Sequence, residues 1–494
     1  MLKLKSFLKS NDKIFYLFLS LLFVLTVQQF ELYKGNAAHL IHSIKDLNSN
    51  KLQEDWIANQ EHHLPLFTYF NFFLIKFFSK NAIYFIHSLL LGICPLFLFL
   101  ISKHLFPRLS INNLSLIWFS LFIFIFHENS FFSGVAGQSV IDAGYQPASF
   151  AVFFFVGIYF FLLEKNLLCI FCICLAATFH PTYVLHSGFL VLGILTYYLW
   201  LKNYLNFFKI IIIYSILILP ITIFIIVNFL TIDENFIILG QEILLKRIPH
   251  HANIHQWLTY KDSFFLLSYF ISLYLVRNNS RFFIFFLVFG MCSIFLSVTQ
   301  YFINNNSLAL VFPWRTSVFI SPISSIIILS FFLNQINLNK TKLRTISFFL
   351  IILTSTTFYV KSHHIKNLNL KFKKDINLVK EIEKNFNSIE RLLIPTDLDF
   401  IRMNSGLPIF IDWKHHAFRY DQLIEWQLRV DLVNKFYSSK TADKQLTNLK
   451  KIHEIENISH ILIKKDKLKI NCDDLIDHDV YMLVSNKNCY TGKN

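Results

Sequence analysis

Charged residues are scarce in this sequence, at 16% of 494, and the centres of its long apolar runs are nearly free of them. Ion-coupled transport is disfavoured because such transporters keep charges inside the helix bundle. Walker, dinucleotide-binding, nucleophile-elbow and zincin motifs are all missing, which argues against an ATP-driven pump and against the common hydrolases. No clear internal repeat is visible, which weakens a transporter assignment. No small-residue cleavage site follows the first apolar stretch, residues 14–27, so we expect a retained first span.

Apolar runs dominate what is present. Hydrophobic residues make up 54% of the chain, and the mean hydropathy is +0.48. Because about 20 residues cross a bilayer, such runs predict a polytopic membrane protein. We expect eleven spans, at residues 14–32, 82–102, 113–127, 146–163, 166–179, 181–201, 208–230, 263–276, 282–302, 315–334 and 345–360. Residues 65–79 are apolar but short, and we expect a helix that lies along the membrane interface.

The net charge of +15 fits the positive-inside bias of a membrane protein rather than nucleic-acid binding. Lys and Arg concentrate in loops on one side if the N-terminus is cytoplasmic, and most loop acids lie on the other. This predicts a bacterial inner-membrane protein with an extracytoplasmic C-terminus. It also places the unusual polar segments on the outer face, where we expect them to converge on one site: residues 33–64, 128–146, 178–182, 231–262 and 303–315.

The hydropathy pattern changes after the transmembrane domain of residues 1–360, and residues 361–494 predict a small extracytoplasmic α/β domain. Strands are expected at residues 391–397, 407–413, 458–465 and 480–486, and helices at residues 398–406 and 420–437. Their alternation suggests a mostly parallel sheet. Residues 361–374 form a basic connector, either a solvated linker or a contact to lipid phosphate. Cys472 and Cys489 can form a disulfide if this domain faces an oxidising compartment.

Glu54 and Asp55 are adjacent in the first outer loop, ahead of the interfacial helix. One of these carboxylates would serve as a general base for an acceptor hydroxyl. An ordinary solvated acidic pair explains the same spacing.

Basic residues gather in the fourth outer segment, where Arg247, His250 and His251 lie within five positions. They are suited to phosphate oxygens or, alternatively, to a divalent metal, although no acidic or Cys partner stands at ligand spacing. Arg315 lies at the outer end of a span and is suited to a bidentate phosphate contact, or it anchors that span at the interface. Gln146 and His180 each precede a proline at an outer helix end, where they would line a cavity or only start a helix.

Taken together, these segments resemble the GT-C class of polytopic membrane glycosyltransferases over residues 1–360. The segments RIPHH, FPWR and SGLPIFIDWKHHAFRYDQLIEWQLR (residues 405–429) are similar to those of a family of uncharacterised bacterial membrane proteins related to that class. The resemblance implies a polyprenyl-phosphate sugar donor and Asp55 as the counterpart of the catalytic acid. In the best-known members the acidic pair instead follows the first span directly.

The sequence therefore predicts transfer of a sugar from a polyprenyl phosphate to an extracytoplasmic glycan or lipid, without a cofactor unless a divalent metal binds. Asp55 or Glu54 would act as the base, and Arg247, His250, His251 and Arg315 would stabilise the leaving phosphate. The alternatives are a non-catalytic exporter or polymer-handling protein, and a scaffold whose external domain binds a partner.

Overall fold

The computed structural model describes residues 10–28, 39–47, 52–127, 132–260, 262–337, 339–384, 391–477 and 480–490. Its α-helices span Ser10–Val27, Ile41–Leu47, Pro65–Phe78, Asn81–Leu105, Asn112–His127, Val152–Leu162, Asn166–Phe179, Val184–Trp200, Tyr204–Ile225, Glu234–Arg247, Pro249–Ala252, Ile254–Trp257, Asp262–Val276, Ser280–Ile303, Asn306–Leu310, Ser317–Gln335, Lys340–Lys384, Phe400–Ser405, Tyr420–Tyr437 and Ala442–Ile455. The chain is an α-helical membrane protein with a small C-terminal α/β region, as the sequence predicts.

Five helices within the described residues are long and apolar enough to cross a membrane: Asn81–Leu105, Pro181–Trp200, Tyr204–Leu230, Ser280–Ile303 and Asn306–Gln335. Six shorter apolar helices accompany them: Tyr16–Val27, Pro65–Phe78, Asn113–His127, Pro147–Leu162, Asn166–Phe179 and Asp262–Val276. Each predicted span therefore falls on a helix, while the count of eleven crossings and their sidedness remain predictions. The lysines before position 10 lie outside the described residues.

The chain divides into two compact units. The first, which we call the bundle unit, comprises residues 1–29, 84–224 and 245–364; the second, the tail unit, comprises residues 30–83, 225–244 and 365–494. The first outer loop thus belongs to the same unit as the C-terminal segment. The predicted connector at residues 361–374 is helical, because it forms part of the helix Lys340–Lys384.

Apolar side chains from many helices fill the core of the bundle unit. Trp118 is buried there, stacks on Phe122 and donates from its indole to Ser330 Oγ at 3.0 Å. On the outer surface of the same unit, apolar side chains such as Ile212, Ile216 and Leu219 are exposed along one helix. In a membrane protein such a face contacts lipid instead of water, so its exposure carries no hydrophobic cost.

The tail unit holds a four-stranded sheet in the order β1-β2-β4-β3, with β1 at Leu392–Leu393, β2 at His460–Lys464, β3 at Asn471–Asp477 and β4 at Tyr481–Tyr490. Only the β1–β2 pair is parallel; β2–β4 and β3–β4 are antiparallel. The mostly parallel sheet predicted from the sequence is therefore wrong. The strand β3 was not predicted. It pairs with β4 in the antiparallel direction, as two strands that follow each other closely in the sequence must, because a parallel pair needs a long crossover connection.

The disulfide between Cys472 and Cys489 joins β3 and β4, as the sequence allows. The helix Tyr420–Tyr437 matches its prediction, and Gly406 ends the short helix before it with a left-handed φ of 68°. The expected strand at residues 407–413 is reduced to a single bridge between Leu392 and Ile409. The helix Ala442–Ile455 was not anticipated from the sequence.

Candidate functional site

Arg315 is positioned by a tight turn in the bundle unit. Phe312 adopts a left-handed φ of 50°, and a 3-10 turn over Pro313–Thr316 follows it. Ser293 Oγ and Thr316 Oγ1 both donate to the Pro313 carbonyl, at 2.7 and 3.0 Å. The turn leads directly into the apolar helix Ser317–Gln335, so the guanidinium is held at the end of that helix.

Gln138 reaches Arg315 from a second tight loop. The Gly134 amide donates to the Gln138 carbonyl at 2.7 Å, and the Val135 amide donates to Ser317 Oγ at 2.8 Å. A Cβ atom on Gly134 would lie only 2.5 Å from Ser317 Oγ, so the close approach requires glycine there. This loop docks on the first residue of the helix that follows Arg315.

A hydrogen-bonded set, here called the Arg315 network, joins Arg315, Gln138, Thr182, His180 and His251. Arg315 Nε donates to Gln138 Oε1 at 2.8 Å, and Arg315 Nη1 donates to Thr182 Oγ1 at 3.1 Å. Gln138 Nε2 contacts His251 Nδ1 at 2.7 Å, and Thr182 Oγ1 contacts His180 Nδ1 at 2.6 Å. Hydrogen bonds around Arg315 therefore join four segments that are distant in sequence, and two of them, those of Gln138 and Thr182, bond to its guanidinium directly.

An apolar cluster next to the network draws three of these segments together. Ala252, Ile254, Phe312 and Trp314 are buried in it, and Val135 and Ala136 pack against them. The arrangement places His251 because Ala252 follows it directly in the chain. Burial of these side chains stabilises the approach of the three loops by removing apolar area from water.

The predicted bundle-unit residues separate into those that join the network and those that do not. His251, His180 and Arg315 are members. His250 is exposed, with its ring centroid 4.0 Å from that of His251, and Gln146 is half-buried at the start of the turn Pro147–Ala151. Arg247 is the last residue of the helix Glu234–Arg247. The RIPHH segment joins two helices, since Arg247 ends one and Pro249 begins the helix Pro249–Ala252.

Two members of the network were missed by the sequence analysis. Gln138 and Thr182 lie in outer segments that the sequence shows to be polar. In these segments only Gln146 and His180, which directly precede prolines, were predicted as site residues. The available signal was the position of Thr182 two residues after His180, at the start of a helix where its hydroxyl can face a neighbouring segment. For Gln138 the glycines at positions 134 and 137 indicated a tight loop.

Asp55 lies in the tail unit, and its carboxylate is fully buried. Its Oδ2 accepts from Arg402 Nε and from the Ile409 amide, both at 2.9 Å. Its Oδ1 accepts from the Ala58 amide at 2.9 Å. Each oxygen therefore already has at least one donor, and the side chain fastens the first outer loop to the C-terminal segment.

Arg402 also pairs with Asp412, and its side chain has no exposed surface. His415 Nδ1 lies 2.9 Å from both carboxylate oxygens of Asp412. Burial alone raises the pKa of Asp412, but Arg402 and His415 outweigh it and bring that pKa to about 2. We call Asp55, Arg402, Asp412 and His415 the Arg402 network. Residues 405–429 supply two of its members, Asp412 and His415.

Glu54, directly before Asp55, has the opposite environment. Its side chain is 63% exposed, and Arg391 Nη2 lies 3.9 Å from its carboxylate while donating to its backbone carbonyl at 2.7 Å. Of the two candidate bases, Glu54 is thus the carboxylate that solvent reaches. Asp55 and Glu54 belong to the tail unit and Arg315 to the bundle unit, so the expected single cavity stays a prediction.

Across the described part of the chain, no three His, Cys, Asp or Glu side chains are arranged to hold a metal ion. No protein-family model matches this chain, and no curated protein matches it either. Among solved structures, it is similar to ArnT from Cupriavidus metallidurans bound to undecaprenyl phosphate. That similarity has a TM-score of 0.45 and 9% sequence identity, and it covers 97% of this chain and 99% of the other.

Proposed function

We propose that this protein is a membrane glycosyltransferase that moves a sugar from a polyprenyl phosphate to an extracytoplasmic glycan or lipid acceptor. The resemblance of the sequence to the GT-C class supports this proposal. The single observation that carries it is the environment of Arg315, a cation at the end of an apolar helix. Three other segments of the bundle unit surround it with hydrogen-bonded polar side chains.

The charge of Arg315 is the reason that we assign it to the donor phosphate. Among the described residues, only neutral oxygens accept hydrogen bonds from its guanidinium, from Gln138 and Thr182. No carboxylate in the described ranges forms an ion pair with it. A guanidinium that is half-buried and not neutralised attracts an anion strongly, and its planar donors match phosphate oxygens. His251 and His180 add hydrogen-bonding groups around Arg315. We assign Arg247, His250 and Gln146 to binding of the same sugar-donor substrate.

The base is assigned to Glu54 in preference to Asp55. A base must accept a proton from the acceptor hydroxyl, so its oxygen has to be reachable. Glu54 is exposed, whereas both oxygens of Asp55 are engaged with donors inside the tail unit. Asp55 then acts as a positioning residue that holds the loop carrying Glu54.

The transfer would proceed by displacement at the anomeric carbon of the donor sugar. The acceptor hydroxyl loses its proton to Glu54 as its oxygen bonds to that carbon. The bond between the carbon and the phosphate oxygen breaks, and the polyprenyl phosphate leaves with the electron pair. Arg315 would stabilise the negative charge that grows on the leaving phosphate, a contribution that is commonly the largest in catalysis of this kind.

The test is a donor screen with the purified full-length protein in nanodiscs, in which release of polyprenyl phosphate is followed by mass spectrometry. For the active donor, Arg315→Ala should lower kcat on the order of 10²- to 10³-fold, as expected for loss of one charge-stabilising donor. Glu54→Gln should lower kcat by a similar factor of about 10²–10⁴, the typical range for general bases.

Arg277→Ala is the matched control, because Arg277 is exposed and packs against Tyr274 within the described part of the chain. It should change turnover less than twofold, by about 0.4 kcal/mol or less. If no polyprenyl-phosphate sugar is discharged by the native protein, the exporter or scaffold alternatives gain support. Full activity of Arg315→Ala would refute the role given to that residue.

A further inference from the structure

Six histidines of the tail unit come together from three short segments. His39 and His42 lie at the start of the first outer helix, His62 and His63 precede the helix Pro65–Phe78, and His415 and His416 lie in the segment before Tyr420. The ring centroids of His42 and His62 are 5.2 Å apart, and those of His39 and His63 are 5.8 Å apart. We call these six residues the histidine cluster.

An aromatic side chain closes one side of this cluster. Phe418 stacks on His63 with ring centroids 3.2 Å apart, and His416 lies 4.3 Å from the same ring. His416 in turn meets the edge of the buried Trp426 at 5.9 Å. These contacts restrain the rings, so the nitrogen atoms of the cluster are held in place before any ligand arrives.

His415 supplies a buried donor. Its side chain is 3% exposed, and its Nδ1 is occupied by the carboxylate of Asp412. Within the described chain its Nε2 has no hydrogen-bond partner. Because Nδ1 faces a carboxylate, Nε2 points to the opposite edge of the ring. A buried polar nitrogen without a partner costs free energy, and a ligand that accepts a hydrogen bond from the N–H removes that cost.

Two lysines, Lys414 and Lys45, lie close enough to the cluster to interact electrostatically with its histidines. Burial lowers the pKa of His39 to about 4, with Lys414 and His415 adding to the effect. Burial also lowers the pKa of His42 to about 3, helped by His62 and Lys45. Carboxylates lie in the same region: Asp412 shares Arg402 with Asp55, and Asp399 interacts electrostatically with Lys414 and His415. Glu61 is exposed beside His62, and Asp421 is paired with Arg419.

From this geometry we propose that the histidine cluster of the tail unit binds a phosphate group, through imidazole N–H donors of His42, His62 and His415 with Lys414 and Lys45 nearby. Phosphate offers several acceptor oxygens to converging donors. A metal ion fits less well, because no three of these side chains are arranged as ligands in the described ranges. The proposal goes beyond the donor site assigned to Arg315 and does not require sugar transfer.

The experiment measures thermal unfolding of the full-length protein in nanodiscs of uncharged lipid, with inorganic phosphate, geranyl phosphate or Zn²⁺ added separately. Phosphate at saturating concentration should raise Tm by about 2–4 °C, as expected for a ligand that binds only the folded state. The double variant His42→Gln/His62→Gln should lose this shift. His453→Gln, at an exposed histidine of the same unit, should keep it.

Arg315→Ala should also keep the rise in Tm. This variant therefore separates the histidine cluster from the donor site proposed at Arg315, so one proposal can fail without the other. A shift with both phosphates supports a site open to free phosphate, and a shift with geranyl phosphate alone supports a lipid headgroup. An unchanged shift in the double variant, stabilisation by Zn²⁺ but not by phosphate, or no shift at all would each overturn the proposal. If the double variant does not fold, the phosphate Kd of His62→Gln is measured by calorimetry. A rise in Kd of about tenfold would support the proposal, and an unchanged Kd would contradict it.

Discussion

Two arginines, one in each unit, sit in polar networks of similar size and differ in what neutralises them. Arg402 lies between the carboxylates of Asp55 and Asp412 and has no exposed surface. Arg315 contacts an amide oxygen and a hydroxyl, and is half-buried at the end of an apolar helix. The tail unit thus uses its arginine to balance buried negative charge, whereas the bundle unit retains a positive charge.

This difference teaches how to separate structural from functional polar clusters. A buried ion that is fully paired within the protein fixes a local conformation, and its removal leaves the partners uncompensated. A cation that is hydrogen-bonded only to neutral groups is held in position but is not neutralised. An anion site requires both properties. The following predictions test this contrast, in order of decreasing effect.

Removing Arg402 should have the largest effect on stability. Arg402→Met would leave Asp55 and Asp412 buried without a counter-charge, and we expect it to lower the free energy of unfolding by about 3–5 kcal/mol. Chemical denaturation of the tail unit, followed by the fluorescence of Trp426, would measure the loss. Arg419→Ala removes a partly exposed pair and should cost less than about 1 kcal/mol. Equal losses of stability in Arg402→Met and Arg419→Ala would contradict the structural role given to Arg402.

The disulfide offers a second, smaller perturbation of the tail unit that leaves the Arg402 network intact. Cys472 and Cys489 are separated by 17 positions. Chain-entropy arguments give a stabilisation of about 3 kcal/mol for a loop of that size. Cys472→Ser/Cys489→Ser should therefore unfold the tail unit at lower denaturant, while sugar transfer at low temperature is retained. Reduction of the native protein that leaves its stability unchanged would contradict this expectation.

Acidification should weaken the tail unit through its histidines. His39 and His42 have folded pKa values of about 4 and about 3, below their ordinary value of 6.5, so the unfolded chain binds more protons between those limits. Stability is then lost as pH falls from 6.5 towards 4. Thermal unfolding should show a falling Tm across this range, and His39→Gln/His42→Gln should flatten the slope. An identical slope in the variant would exclude these residues as the cause.

The smallest expected change concerns Gln138, which bridges Arg315 and His251 through neutral hydrogen bonds. Gln138→Leu keeps the side chain's size and removes both contacts, each worth about 0.5–1.5 kcal/mol. We expect transfer to fall about tenfold, mainly in kcat, with unfolding nearly unchanged. Gln146→Leu is the comparison variant. Gln146 is also assigned to the sugar donor, but no contact joins it to the Arg315 network in the described structure, so we expect a smaller loss of transfer. A larger effect at Gln146 would shift the site away from Arg315.

Much of the helical architecture could be predicted because it depends on local pattern. Each apolar run became a helix, and the amphipathic helix Tyr420–Tyr437 was found to the residue. The sheet direction failed because it depends on which strands pair, which no local pattern in β3 and β4 records. The helical conformation of the connector at residues 361–374 was not predicted either, because its charges indicated a connector and not a helix, yet Lys and Asn continue a helix that has already begun. Whether it is a solvated linker or contacts lipid phosphate stays a prediction.

Several residues of the candidate site could be predicted from the sequence, but the hydrogen bonds that link them could not. Arg315, His180 and His251 were identified because cations and imidazoles at helix ends are unusual, but nothing in their spacing indicated that Gln138 and Thr182 link them. Asp55 was identified as a candidate base because it lies in an acidic pair of the first outer loop. Its partner Arg402 lies 347 positions away. A contact across that distance depends on the tertiary fold, so the burial of Asp55 could not be predicted.

The close approach of Gly134 to Ser317 has a consequence for sequence divergence. A Cβ at position 134 would lie 2.5 Å from Ser317 Oγ and 2.6 Å from the Val318 amide nitrogen. The second of these atoms is backbone, so a smaller residue at position 317 does not create the space. We therefore expect homologues that keep the glutamine at position 138 to keep glycine at position 134, and those that lose the glycine to lose the glutamine with it. The two positions should be inherited as a pair, although only their backbones are in contact.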